Sequence, residues 1–271
     1  MSILNWYYPQ TPEEAALLVQ RDGMIPCGGG TMLLRSAMTR TRGFIDLRHL
    51  HLGYFNASSQ STTLGATLTY SETVEKMASV LPDSIIGKAL HHAASTPLRN
   101  VITLGGSLAA APPWSDLLGP LVALEAEVEL IGQNPGNFSV TDYLGRSELR
   151  EKSLMVNIRF ANAQWESYYY RGVRTSFDLP SLTITILAEK TIHGQLKNIR
   201  IVLVGTREKY QRLQHLEQQL VEERPHLHQL PEFIPDLLSG FAGRRLGSAE
   251  FMARLAGIEL QRGLEKILRE V

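Results

Sequence analysis

The 271-residue sequence predicts an α+β protein. Two observations indicate this class. Up to residue 162, short strand patterns alternate with helical patterns around two glycine-rich loops. Beyond that point, two strongly alternating strands are followed by two long helical stretches. These changes in pattern predict three domains, at residues 1–55, 56–162 and 163–271.

The first domain is predicted to be a small β-loop-α-β unit preceded by a helix. In TPEEAALLVQRDG, Thr11 can cap the helix, Pro12 takes its first position and Glu14 completes a capping box. Gly23 is placed to end it. A strand, a triple-glycine loop, a short helix and a second strand are then predicted at residues 24–27, 28–30, 31–39 and 44–47.

The second domain is predicted to contain strands and helices around a second glycine loop. A strand begins near Thr62, and Ser71 can cap the helix that follows. Pro82 begins another helix that runs to about Ala94. Further strands are predicted at residues 122–130 and 153–160, with a turn at 134–137.

The third domain is predicted to contain a hairpin, SLTITILAEKTIHGQLKNIRIVLVG, that turns at His193-Gly194. Two helices, over residues 206–223 and 248–269, follow and are joined by a Pro-rich surface connection. The preceding YYYRGVR segment, residues 168–174, has two interpretations. The residues alone favour an edge strand with solvated charges; the alternative is an aromatic ring or arginine beside a flat cofactor.

Composition and charge exclude several classes of protein. Lys plus Arg and Asp plus Glu number 27 each, so a net charge of zero offers no field that attracts nucleic acid. No apolar run approaches the ~20 residues of a membrane span, and the N-terminus lacks the pattern of a secretory signal. The single cysteine, Cys27, excludes an internal disulfide or iron–sulfur site and is typical of a cytoplasmic protein. The histidines lack partners at metal-ligand spacing, so no metal site is predicted.

Two glycine loops carry the main functional signal. Gly28-Gly29-Gly30-Thr31 and Thr103-Leu104-Gly105-Gly106-Ser107 each follow an apolar stretch and include a hydroxyl side chain. Consecutive glycines let backbone N–H groups converge on an anion, although each loop alone is more typical of a tight turn. Two loops of the same design favour a cradle for a diphosphate.

Asp116 follows the second glycine loop, in PPWSD, and has two interpretations. It can accept hydrogen bonds from sugar or ribityl hydroxyls, as acidic residues do in other dinucleotide sites. It can equally cap a helix that opens at Leu117. The spacing alone leaves both open.

Several linked segments resemble the FAD-binding medium subunit of the molybdenum hydroxylases, a family that includes the flavin subunits or domains of xanthine dehydrogenase and carbon monoxide dehydrogenase. The segments are CGGGTMLL, FIDL, LGATLTY, LRNVITLGGSLA, PPWSD and LVALEAEVEL. The resemblance is strong from about residue 5 to 160 and weaker beyond. It implies an FAD-binding fold of the vanillyl-alcohol-oxidase/molybdenum-hydroxylase type, with two α/β subdomains and a C-terminal α+β domain.

The resemblance also implies which residues bind FAD. The backbone N–H groups of both glycine loops would lie against the pyrophosphate, and the isoalloxazine would lie between the FAD core and the C-terminal domain. Met32 and Ser107 differ from the usual family residues. The implied cofactor-binding set is Gly28, Gly29, Gly30, Thr31, Met32, Leu33, Arg99, Asn100, Thr103, Leu104, Gly105, Gly106, Ser107, Asp116 and Arg171. No acid–base catalyst is implied.

The function implied by the resemblance is electron transfer. A [2Fe–2S] partner subunit would reduce the FAD, which would pass electrons to NAD⁺ or another acceptor, while a molybdopterin-containing large subunit would oxidise the substrate. Two alternatives remain: a self-sufficient flavin oxidase of the same fold, and a flavin-free scaffold or assembly subunit.

Overall fold

A computed structural model describes residues 4–33, 41–176, 178–243 and 246–269. Its strands are β1 Asn5–Tyr7, β2 Met24–Cys27, β3 Gly43–Asp46, β4 Phe55–Ala57, β5 Ser61–Gly65, β6 Glu127–Gly132, β7 Gly136–Ser139, β8 Ser153–Ala161, β9 Glu166–Gly172, β10 Leu182–Lys190, β11 Leu196–Thr206 and β12 Lys209–Arg212. Its α-helices are α1 Pro12–Val19, α2 Tyr70–Val80, α3 Ile85–His91, α4 Thr96–Arg99, α5 Leu104–Ala110, α6 Leu118–Ala123, α7 Val140–Gly145, α8 Ser147–Arg150, α9 Gln214–Glu223, α10 Leu230–Phe233 and α11 Ala249–Arg269. Within these ranges, no helix is both long and apolar enough to cross a membrane.

The chain forms two compact units that do not follow the order of the sequence. The first unit comprises Met1–Lys76, Ser95–Ala111 and Glu125–Asn162. The second comprises Met77–Ala94, Pro112–Leu124 and Ala163–Val271. Two short segments that the sequence analysis assigned to the second domain therefore pack with the C-terminal residues.

The first unit contains two sheets. One is parallel, with strand order β1-β3-β2, and the other is antiparallel, with strand order β4-β5-β8-β6-β7. Helix α1 packs against both sheets through its buried Ala15 and Val19, in a core shared with Ile45 and Leu154. This core supports the strand end from which the first glycine loop emerges.

The local features of the first region follow its sequence. Thr11 Oγ1 accepts a hydrogen bond from the Glu14 N–H at 3.2 Å, so the predicted cap of α1 is confirmed. The Glu14 carboxylate binds the Gln10 N–H instead of completing a box with Thr11. The helix ends at Val19, before Gly23, which has a φ of +75°. The predicted strand at 24–27 is confirmed, whereas most of the helix predicted at 31–39 lies outside the described residues.

In the second region, the cap predicted for α2 is wrong and the strand predicted at 122–130 is only half right. Ser71 does not cap α2: the helix begins at Tyr70, and Thr69 exchanges hydrogen bonds with Glu72 as a capping box. In the segment 122–130, Val122 belongs to the buried helix α6, which ends at Ala123, and only the part from Glu127 onward forms a strand, β6. The strand predicted at 153–160 is confirmed as β8.

The second unit is built on one antiparallel sheet, with strand order β12-β11-β10-β9. Ile184 and Ile186 of β10 face α9 and α11 in one large apolar core. The intervening Thr185 faces α6, where a Cβ on Gly119 would lie 2.7 Å from its Oγ1. Helices therefore cover both faces of the sheet.

The predicted hairpin is confirmed as the antiparallel pair β10 and β11, and the helix predicted at 248–269 is confirmed as α11. The helix predicted over 206–223 is only half right. Lys209–Arg212 pair with β11 as an extra strand, and the helix starts at Gln214.

Candidate functional site

The two glycine loops meet at one cleft of about 460 Å³ in the first unit, within the ~300–1,000 Å³ range of ligand pockets. We call it the glycine cleft. Its wall contains residues from both loops and from the strands and turns around β3, β5 and α2. The lining residues are Gly28, Gly29, Arg48, His51, Gly53, Tyr54, Thr67, Thr69, Glu72, Asn100, Val101 and Thr103.

The first glycine loop lies directly against the chain that precedes the second loop. A Cβ on Gly29 would lie 1.6 Å from the Val101 carbonyl oxygen, and one on Gly28 would lie 2.8 Å from Thr103 Oγ1. Gly30 has a φ of +69°, which L side chains rarely adopt. Each glycine is therefore required by the geometry of this wall.

The backbone N–H groups of Gly28, Gly29 and Gly30 have no hydrogen-bond acceptor among the described residues. Unpaired N–H groups in consecutive residues form the concave donor set that binds phosphate oxygens. A half-buried N–H group without an acceptor costs free energy of folding, unless water or a ligand accepts its hydrogen bond. The first loop thus matches the anion nest that its sequence predicts.

The second glycine loop is organised differently from the first. Gly105 and Gly106 lie inside the first turn of α5, and neither has a positive φ. The Gly105 N–H donates to the Ala66 carbonyl at 2.8 Å, and the Gly106 N–H donates to Thr103 Oγ1 at 3.2 Å. In this structure these two donors do not form a second free nest. A Cβ on Gly105 would lie 2.8 Å from the Ala66 Cβ, so close packing requires this glycine.

Other predicted cofactor-binding residues of the second loop serve its packing. Leu104 is buried, and its N–H donates to the Leu68 carbonyl. Ser107, also buried, forms a hydrogen bond of 2.5 Å between its Oγ and the Tyr70 hydroxyl. The usual family residue at this position is thus replaced by a hydroxyl that faces the interior.

Of the remaining predicted residues of the first unit, Asn100 lines the cleft, whereas Arg99, Thr31, Met32 and Leu33 are not among its lining residues. The Asn100 Oδ1 accepts from Ser71 Oγ at 2.6 Å. Arg99 donates to Thr96 Oγ1 at 3.1 Å. Thr31, Met32 and Leu33 continue the first loop, where the Leu33 N–H donates to the Gly30 carbonyl.

Arg48, which the sequence patterns did not indicate, is the only Lys or Arg among the described residues that line the cleft. Its guanidinium binds both carboxylate oxygens of the buried Asp46, at 2.6–3.0 Å, although 71% of its side chain is exposed. Hydrogen bonds from Arg48 hold the pKa of Asp46 below its usual range. In the sequence, the Asp-x-Arg spacing directly after a buried strand was the signal that could have indicated Arg48.

Tyr54 and Glu72 were missed as well. The Tyr54 hydroxyl accepts from Asn157 Nδ2 at 2.9 Å, and Asn157 also donates to Glu129. Glu72 is held by the Thr69 N–H and hydroxyl, each at 2.8 Å. Both residues lie between the quoted motifs, and only folding brings them to the cleft.

Asp116 and Arg171 form a buried ion pair in the second unit. Arg171 Nε and the Tyr169 hydroxyl each donate to Asp116 Oδ1 at 2.8 Å. The Arg171 side chain is 9% exposed and the Asp116 side chain is 4% exposed. Burial raises the pKa of Asp116 to about 7, while Arg171 and Tyr169 act in the opposite direction. The Arg171 guanidinium also donates to the carbonyls of Ala93 and Asp178.

Two interpretations of this region are corrected. YYYRGVR contributes an edge strand, β9, as predicted, but Arg171 is buried and paired instead of solvated. Asp116 does not cap the following helix, since α6 has no side-chain cap and the Leu118 N–H binds Ser115 Oγ.

Residues 2–161 match the model of a family described as the FAD binding domain in molybdopterin dehydrogenase. The chain belongs to this family. The resemblance noted in the sequence is confirmed, and the cofactor of the family is FAD. A comparison with curated proteins found no match.

Solved structures of the same fold match nearly the whole chain. Quinoline 2-oxidoreductase from Pseudomonas putida 86 is 20% identical with a TM-score of 0.87, covering 98% of this chain and 97% of that one. Carbon monoxide dehydrogenase from Hydrogenophaga pseudoflava, in a form that lacks the Mo-pyranopterin moiety, is 21% identical with a TM-score of 0.87, covering 97% and 96%. Reconstituted CO dehydrogenase from Oligotropha carboxidovorans is 20% identical with a TM-score of 0.87, covering 99% of both chains. At these identities the likeness confirms the predicted fold.

The glycine cleft fits the diphosphate of FAD. Three unpaired N–H groups of the first loop and the Arg48 guanidinium are suitable donors for phosphate oxygens. Gly28 and Gly29 let the first loop pack directly against Thr103 and Val101, where side chains would clash.

Proposed function

We propose that this member of the family is the FAD-binding electron-transfer subunit of a molybdenum hydroxylase-type dehydrogenase. The observation that supports it best is the glycine cleft, in which unpaired backbone donors and Arg48 are suited to a diphosphate. Bound FAD would supply the redox chemistry, taking electrons from a [2Fe–2S] partner and delivering them to NAD⁺ or another acceptor.

The residues of this chain would bind and orient the cofactor. Gly28, Gly29 and Gly30 would donate to the phosphate oxygens, and Thr103 would keep the neighbouring helix α5 capped through the Gly106 N–H. Asp116 and Arg171 remain in the proposed cofactor set on the strength of their family motifs. Because their charges neutralise each other, we expect them to offer polar contacts without a net charge.

The partners are inferred from the chemistry that this chain lacks. Its single cysteine cannot ligate an iron–sulfur cluster, and no described group of three His, Cys, Asp or Glu residues is suited to a metal ion. The structural neighbours named above, CO dehydrogenase and quinoline 2-oxidoreductase, are oxidoreductases. We therefore propose that a [2Fe–2S] subunit and a molybdopterin-containing large subunit complete the enzyme.

The test begins with flavin titration of the purified chain. We expect noncovalent binding of FAD, and binding of FMN at least about tenfold weaker, since FMN lacks the diphosphate and the second nucleotide half. Equal affinities would contradict the assigned role of the cleft. A chain that binds neither flavin would be the scaffold subunit.

A second assay separates the electron-transfer subunit from a self-sufficient oxidase. The purified FAD-loaded chain is tested for oxidation of purines, aldehydes and heterocycles, alone and after co-expression with iron–sulfur and molybdopterin subunits. We expect turnover only with the partners present. Robust substrate oxidation by the lone chain would support the flavin oxidase instead.

A further inference from the structure

A second cavity, of about 320 Å³, lies entirely within the second unit. We call it the basic pocket. It is lined by Lys88 of α3, by Ser167, Tyr168 and Arg171 of β9, and by Lys266 of α11. None of these elements contributes to the glycine cleft, so the basic pocket needs its own explanation.

The lining of the basic pocket is strongly cationic. Lys88, Lys266 and Arg171 line it, and no described carboxylate does. Asp116 offsets at most one charge through its pair with Arg171, which leaves at least two positive charges in excess. The Tyr168 hydroxyl donates to Glu259 at 3.4 Å, and this carboxylate, which does not line the pocket, is paired with Arg262.

The donors of the basic pocket are partly fixed before any ligand arrives. Lys88 Nζ donates to Ser167 Oγ at 2.9 Å. Arg171 is 9% exposed and held by Asp116 and by the Asp178 carbonyl at 2.7 Å. Lys266 has no ion-pair partner among the described residues. Donors that are already ordered lose little conformational entropy when they bind an anion.

We propose that the basic pocket is a binding site for a phosphate dianion, either inorganic phosphate or the phosphate group of a small monoester. A phosphate monoester carries about −1.5 to −2 charges at pH 7, which matches the excess of two positive charges. The volume lies at the lower end of the range for ligand sites, which suits a small molecule better than a dinucleotide. The pocket shares Arg171 with the proposed cofactor set, so binding is measured on the FAD-loaded protein.

The experiment measures phosphate binding to the full-length, FAD-loaded protein by isothermal titration calorimetry and ³¹P NMR. One arm uses inorganic phosphate and the other glycerol 3-phosphate, so that the tighter ligand identifies the source of the phosphate group. The variants are Lys88→Ala and Lys266→Ala. The matched control is Lys197→Ala, which removes the same charge from the second unit at a lysine paired with Glu189 outside the pocket.

Saturable binding of at least one ligand is expected, with an affinity about tenfold weaker in each pocket variant and unchanged in the control, since one charge-assisted hydrogen bond is lost. No binding at millimolar concentrations would overturn the proposal. Equal weakening in Lys88→Ala and Lys197→Ala would do the same, because it would indicate a non-specific charge effect. Binding that appears only when FAD is removed would assign the pocket to the flavin site and also overturn it.

Discussion

Gly29→Ala is the sharpest test of the first glycine loop. The new Cβ would lie 1.6 Å from the Val101 carbonyl oxygen and 2.6 Å from the Val101 carbonyl carbon. Ordinary contacts between non-bonded heavy atoms are roughly 3.5–4.0 Å, so one of the two backbone segments has to move by about 2 Å. Neither contact atom belongs to a flexible side chain. We therefore expect destabilisation at or above the upper end of the ~1–3 kcal/mol range for overpacking.

The assay compares Gly29→Ala with Gly145→Ala in the same unit. An added Cβ on Gly145 would meet nothing within 4 Å, so this control should be neutral or gain up to ~1 kcal/mol. Urea unfolding of the flavin-free proteins measures stability, and fluorescence titration measures FAD affinity. Because the shift separates the loop from Val101, Gly29→Ala should lower both the free energy of unfolding and the affinity for FAD. Wild-type stability together with wild-type FAD affinity would refute the geometry deduced for the loop.

Four further outcomes are expected. Arg48→Ala should weaken FAD binding about 3–10-fold and reduce its salt dependence, measured by titration at several ionic strengths. Asp116 has a folded-state pKa of about 7, above its ordinary value of 3.8, so the stability conferred by its protonation is complete below pH 4 and is lost as the pH rises through 7. Between pH 5 and 8, the free energy of unfolding in urea should therefore decrease less with pH in Asp116→Asn than in the wild type. Arg171→Met should cost about 3–5 kcal/mol, because it leaves a buried carboxylate unpaired; a smaller cost would argue against the pair. Thr69→Ala should cost about 1 kcal/mol and Ser71→Ala less than half of that, and the reverse order would contradict the observed cap.

Features that depend on neighbouring residues were predictable from the sequence. The Thr11 cap and the strand at 24–27 were correct, because each depends on contacts within a few residues. The hairpin formed by β10 and β11 was correct for the same reason, since its two alternating strands are joined by a short turn. The linked motifs also identified the family, because they retain their order and spacing.

Where the local sequence was compatible with more than one cap or more than one secondary structure, the tertiary packing selected between them. Thr69 and Ser71 are both suitable caps, and pairing with Glu72 selected Thr69. Val122 and its neighbours have the apolar pattern of a strand, but they pack as helix α6 against the sheet of the second unit. A short apolar run is compatible with either element, and the buried surface available decides between them.

The roles of the two glycine loops show the same division. Their sequences are alike, and both predicted unpaired backbone donors. Only the first loop has them, because the second enters helix α5 and its donors bind Ala66 and Thr103. The sequence by itself determined the family, the cofactor and the first loop, since these depend on residue type and local spacing. The pairing of Arg171 with Asp116 and the arrival of Arg48 at the cleft required the fold, because hydrogen-bond partners distant in sequence meet only after the core is packed.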